Sequence, residues 1–181
     1  MEIARLNNCV TLPVTDEEPV LDSMLGWLAR WLRMLGVHAI YSPSFNDEYL
    51  LTVSHLLITR DRELFRKRAV ATLLLETSTH TEWLSVSSLV LGNQLVLDMD
   101  RSLCPICGSR LIRVGRDAVA GRVPGSVLLR HDTFWACTGC GKVYWVGSHH
   151  ARIRRELESA RAILGRLRTS CVDGNLLIIR E

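Results

Sequence analysis

An α/β protein with a parallel sheet, followed by a small cysteine-bearing module, is the fold class that three observations predict for this chain of 181 residues. Between residues 20 and 100, short apolar runs alternate with stretches of helical periodicity, the pattern of strands joined by crossover helices. From Arg101 onward the chain changes to closely spaced glycines and two Cys-x-x-Cys pairs. The net charge of +3 hides a division at the same place. Residues 1–100 carry 8 Lys+Arg against 13 Asp+Glu, whereas residues 101–181 carry 14 against 6.

Residues 1–19 hold Pro13, the acidic run 16–18 and Pro19 without sustained periodicity, and are read as an N-terminal extension. The core begins with a short strand at Val20 and Leu21, ending at Asp22. Residues 23–35 have helical spacing, with Leu25, Leu28, Leu32 and Leu35 on one face and Met24, Trp27, Trp31 and Met34 on a second. The narrow polar strip left over, Ser23, Gly26, Arg30 and Arg33, would send two arginines along one seam. Gly36 stops the helix. Strands are predicted over 37–41, 56–58 and 70–75, and helices over 46–53, from Arg62, and over 81–91, closed by Gly92. The domain organisation expected is thus an extension (1–19), an α/β domain (20–100), a cysteine module (101–150), and a basic helix with a tail (151–181). The helix is expected over 151–168, and the apolar residues 176–179 would pair as an added strand.

No apolar run approaches the roughly 20 residues of a membrane helix, and the first residues lack the apolar stretch of a signal peptide. A cytoplasmic protein without a membrane partner is expected. In a reducing compartment Cys104, Cys107, Cys137 and Cys140 point to metal ligation before disulfides, and Cys9 and Cys171 to plain thiols. The two CxxCG turns enclose 29 residues, and each can aim two thiolates at one ion while its glycine permits the tight turn. A closed, structural Zn²⁺ site suits four thiolates; a rubredoxin-like iron centre is the alternative.

In parallel sheets the working residues gather at the carboxyl ends of strands. Asp22, Asp61 and Glu76 stand there, with Asp47 and Glu48 at the start of a predicted helix. Acids collected at one edge are held together by hard cations such as Mg²⁺ or Mn²⁺, which can activate water for phosphodiester cleavage. Surface or helix-capping roles are the competing reading, Asp61 in particular being placed to cap a helix before Glu63 and Leu64. Arg30 and Arg33, one helix face from Asp22, could hold phosphate or pair with nearby acids. Trp135, Tyr144 and Trp145, with Arg130, Lys142 and His149, could stack bases and hold phosphates, or form the small module's core. Arg152, Arg154 and Arg155 on the basic helix complete the candidate RNA grip. His149 and His150, adjacent on a strand, would point to opposite faces and not share a metal.

The run LDSMLGWLARWLRMLG followed by LLITRDREL, CPICG and FWACTGCGKVYWVGSH resembles the Mut7-C RNase family, PIN-like nucleases carrying a C-terminal zinc ribbon. The resemblance covers roughly residues 20–155 in the family's order. It implies a PIN-like three-layer fold with a four-cysteine zinc ribbon and makes Asp22 the first metal-binding acid. It also makes Thr59 and Asp61 the T-x-D element, and Gly147-Ser148-His149 the element after the ribbon's last strand. Only about a dozen residues separate Asp47 from that T-x-D element, fewer than the family pattern, which leaves open whether Asp47 or Glu48 faces the site. The function implied is endoribonuclease activity with Mg²⁺ or Mn²⁺ at Asp22 and Asp61, and structural Zn²⁺ in a ribbon that presents RNA or a ribosomal or other ribonucleoprotein surface. A non-catalytic RNA- or ribosome-associated binding protein with the same fold is the rival.

Overall fold

A computed structural model of the chain describes residues 1–14, 18–68 and 70–181; Asp16 and Glu17 of the acidic run lie outside them. Its frame is a mixed sheet of seven strands. In chain order these are β1 (Glu2–Leu6), β2 (Val20–Leu21), β3 (Ile40–Tyr41), β4 (Leu57–Thr59), β5 (Thr72–Leu75), β9 (Leu167–Val172) and β10 (Asn175–Arg180). They lie in the order β3-β2-β4-β5-β1-β10-β9. The first four in that order run parallel, as the alternation of strands and helices predicts. From β5 outward the pairing is antiparallel.

Successive residues of a strand face opposite sides of the sheet, and here that rule separates two cores. Leu21 and Ile58 pack on one face with Leu25, Leu28 and Leu32 of α1 (Gly26–Met34) and the turn before it, Leu84 and Val90 of α4 (His80–Leu91), and Leu157 and Ala160 of α6 (His149–Leu164). Their neighbours Val20 and Leu57 turn to the other face, against Leu50 of α2 (Asp47–Thr52) and Leu64 of α3 (Arg62–Lys67). The result is three layers. α4 packs against both α1 and α6 and is buried nearly all round, which explains its apolar sequence; Ser85 donates to the carbonyl of Ala160 at 2.9 Å. Gly92 closes α4 in the left-handed conformation at φ 69°, which glycine adopts without steric cost.

Several expectations are corrected here. Residues 1–19, expected as an extension, contribute β1, paired on both sides within the sheet. The C-terminal helix begins at His149 and ends at Leu164, and Leu167, expected on the helix, starts strand β9. The tail strand forms as expected: it is β10, paired between β1 and β9. Cys9 and Cys171, expected as plain thiols, form a disulfide with Cα atoms 5.6 Å apart. Because β1 and the β9–β10 hairpin are neighbours, residues separated by 162 positions meet, which no local pattern could show. Among the described residues no helix is long and apolar enough to cross a membrane.

The cysteine module is a three-stranded antiparallel sheet of β6 (Leu111–Val114), β7 (Phe134–Cys137) and β8 (Val143–Tyr144), with a one-turn helix α5 (Gly125–Leu128) in the long connection. It is seated on the carboxyl end of α1. The carbonyls of Arg33 and Met34 accept from the Leu103 N–H at 2.8 Å and the Ser102 hydroxyl at 2.6 Å. Arg33 is 5% exposed. Its guanidinium donates to the carbonyls of Ala39 at 3.0 Å and Ile106 at 3.1 Å, so it joins the first knuckle to the α/β layers. Arg33 is therefore spent on backbone carbonyls and is withdrawn from the RNA-contacting set.

Candidate active site and cysteine metal centre

β2 and β4 are adjacent and parallel, so their carboxyl ends place Asp22 and Thr59 side by side. The Thr59 hydroxyl donates to Asp22 Oδ2 at 2.6 Å and accepts the Asp61 N–H at 2.9 Å, linking both acids through one oxygen. Ser23 donates to Asp22 Oδ1 at 3.2 Å. Asp22 is 5% exposed, yet among the described residues no Lys, Arg or His is paired with it. The two neutral hydroxyls on this buried carboxylate do not supply the counter-charge that burial ordinarily demands.

Asp61 takes the capping role: Oδ1 accepts the N–H groups of Glu63 at 2.6 Å and Leu64 at 3.1 Å at the start of α3. Its second oxygen, Oδ2, makes no hydrogen bond among the described residues. Capping and metal binding are thus compatible, since they use different oxygens. Mg²⁺ and Mn²⁺ are commonly held by one or two carboxylates with water completing the shell, a donor set that Asp22 and Asp61 could provide.

Asp47 and Glu48 lie exposed in the first turn of α2, whose N-cap is Asn46. Neither is gathered with Asp22 and Asp61 into a group of close ligand atoms. The pKa of Lys67 is raised chiefly by the hydrogen bond from its ammonium to Glu63, with Asp47 and Asp61 adding smaller attractions. Glu76, one residue after β5, pairs with Arg62 at 3.1 Å. Partial burial and the neighbouring Glu2 carboxylate push its pKa up. Burial also opposes ionisation of Glu2, but hydrogen bonds from Glu76 and Arg5 outweigh it and hold Glu2 below the usual range.

Spacing alone did not reveal an aromatic group beside this edge. His80 stacks on Trp27 at 4.6 Å and meets Trp83 edge-on at 4.6 Å, while the Arg60 guanidinium covers Trp83 at 5.0 Å. The i,i+3 spacing of His80 and Trp83 was a usable signal, but Trp27 and Arg60 come from other elements. Arg30 on α1 and Arg152, Arg154 and Arg155 on α6 are all exposed. Lys142 is exposed in the turn before β8, and His149 begins α6. His149 and His150 are therefore helical, not paired across a strand.

The four thiols of the cysteine module converge, all Sγ atoms lying within 4.8 Å of one another. Cys104 and Cys140 are 3.7 Å apart and Cys107 and Cys137 are 3.4 Å apart. Tetrahedral Zn–S bonds of about 2.3 Å require sulfur separations of about 3.8 Å, so the four could hold a zinc ion. The N–H groups of Gly139 and Cys140 both point at Cys137 Sγ at 3.4 Å, which favours the thiolate a metal needs. Gly108 and Gly141 turn at φ 78° and 73°, the role expected of each CxxCG glycine. Hydrogen bonds from the Ser109 side chain and backbone lower the Cys107 pKa to about 6, whereas burial raises Cys137 to about 11. Trp135 donates to Asp100 Oδ1 at 2.8 Å and Tyr144 contacts Cys104 Sγ at 3.1 Å, so both are committed to the module's interior.

The Mut7-C RNase domain family model matches residues 18–157, more than three quarters of the chain. The chain belongs to the Mut7-C RNase domain family. The match begins just before β2 and ends within α6, so it spans both the carboxylate edge and the four cysteines. The curated proteins and the solved structures contain no significant match. Membership implies ribonuclease-type function with RNA as the substrate class.

Proposed function

We propose that this Mut7-C protein is a PIN-like, metal-dependent endoribonuclease. The observation that carries the reading is the buried Asp22 carboxylate, tied to Asp61 through the Thr59 hydroxyl and lacking a protein counter-charge among the described residues. Asp22 and Asp61 Oδ2 would hold Mg²⁺ or Mn²⁺, which when bound supplies a polarising charge for water and the scissile phosphate. Thr59 holds the Asp22 carboxylate and the Asp61 backbone. One of Asp47 and Glu48, both in the first turn of α2, would assist from that side. A nuclease unit built on residues 20–100 and a ribbon over 101–150, with structural Zn²⁺ at the four cysteines, complete the arrangement.

The basic half supplies the grip on RNA through Lys142, His149, Arg152, Arg154 and Arg155, with exposed Arg30 offering a phosphate contact on α1. Replacing Arg152, Arg154 and Arg155 together with glutamine in the full chain should weaken binding of single-stranded RNA. It should also reduce the slope of log K against log salt by about 2, at about 0.7 per lost phosphate contact. Anisotropy titrations across salt concentrations read this slope, and an unchanged slope would remove α6 from the interface. The full chain is needed because α6, β9 and β10 complete the α/β core. Cleavage of single-stranded RNA with Mn²⁺, abolished by chelation and by Asp61→Asn, tests the catalytic assignment. Tight RNA binding without cleavage by the wild-type protein would favour the non-catalytic binding role.

A further inference from the structure

Between the cysteine module, the carboxyl end of α1 and the start of α6 lies a groove of about 560 Å³, in the size range of small-ligand sites. Its floor is apolar, made by Met34, Met99, Leu111 and Ile153. Its rim carries Arg130, Lys142, His149 and His150, and no acidic side chain among the described residues lines it. α6 is 16 residues long, begins in the groove wall, has no side-chain cap and has no acid in its first turn. Its leading N–H groups and dipole favour an anion. With Trp135 and Tyr144 committed to the interior, Trp145 is the remaining aromatic of the trio, half-buried in the groove wall. Gly147 fits closely against it: a Cβ there would stand 2.8 Å from the Trp145 indole nitrogen.

We infer that this groove binds one unstacked base of a single-stranded RNA, stacked on Trp145 above the apolar floor, with flanking phosphates held by Arg130, Lys142 and the first turn of α6. The inference rests on the ribonuclease reading for its substrate class and adds a base-binding subsite remote from the chemistry. An apolar floor with an aromatic wall suits a base, and a rim of cations without acids suits phosphate rather than an acid-balanced protein surface. α1 connects the two places: Asp22 precedes its first turn and Met34 ends it, so the groove lies roughly 15–20 Å from the carboxylate edge by helix rise. The base held here therefore belongs to a nucleotide several positions from the scissile bond.

The test is anisotropy of labelled single-stranded RNA with the zinc-loaded full chain and no added Mg²⁺ or Mn²⁺, followed by cleavage kinetics in Mn²⁺. Trp145→Ala should weaken binding about tenfold, the typical loss for one stacked base, while Trp145→Phe stays within about threefold. In a series of RNAs each lacking one base, a single position should cost the wild type about tenfold and Trp145→Ala nothing. In cleavage, Trp145→Ala should raise KM and leave kcat unchanged. If folded, zinc-loaded Trp145→Ala binds RNA within about twofold of wild type, or if missing bases cost both proteins equally, the subsite does not exist; an insensitive groove would then be left for a protein partner. Absence of cleavage by wild type, with the missing-base pattern intact, would instead fail the nuclease reading alone.

Discussion

Asp22→Asn and Asp61→Asn should each lower Mn²⁺-dependent cleavage of single-stranded RNA by about 10²–10³-fold or more, the scale on which losing one preorganised electrostatic group is felt. The substitutions are chosen so that little else changes. Asparagine at position 61 can still cap α3, because an amide oxygen accepts the Glu63 and Leu64 N–H groups as the carboxylate does. Asparagine at position 22 keeps partners for Ser23 and Thr59 while removing a buried charge that has no cation paired with it among the described residues. Its melting temperature without divalent ions should therefore equal or exceed that of wild type. Asp47→Asn and Glu48→Gln should differ in effect, since the short α2 can turn at most one of them toward the edge. Equal cleavage by wild type and Asp61→Asn would reveal a contaminating nuclease or a different site.

Zinc should be the second large effect. Purified protein should be colourless and contain about one Zn per chain, and Cys107→Ser or Cys140→Ser should lose the metal and melt the module over residues 101–148. Structural Zn²⁺ contributes on the order of 10–16 kcal/mol to small metal domains, far more than this three-stranded sheet can replace. Hydrogen exchange should stay slow in β2, β4 and β5, whose cores form without the module. Loosening should extend into the end of α1, because Arg33 loses its carbonyl partners on the first knuckle. Metal-free wild-type protein with full protection across 101–148 would contradict the assignment, and visible thiolate–iron absorption would replace zinc with iron.

The parallel half of the sheet was legible because β2, β4 and β5 are continuous apolar runs between periodic helices, and buried parallel strands have that signature. The antiparallel half was not. β9 is exposed along nearly its whole length, so it shows no alternation, and β1 is five residues whose partners, β5 and β10, lie far away in sequence. The same distance in sequence concealed the Cys9–Cys171 disulfide. The two CxxCG turns carried the cysteine cluster plainly, because each fixes its ligands locally. Arg33 misled in the other direction: on the helix it belongs to a polar strip, and only the docking of the first knuckle buries it. For Asp22, position after a strand was readable, but its lack of a counter-ion among the described residues is a property of the packed edge.

That missing counter-ion leads to the most direct measurement: anomalous scattering from crystals of the wild-type chain soaked in Mn²⁺. The account predicts a manganese peak ligated by Asp22 and by Asp61 Oδ2 at the carboxyl ends of β2 and β4, absent in Asp22→Asn. An edge without manganese at saturating Mn²⁺, in protein whose four cysteines hold zinc, would contradict it.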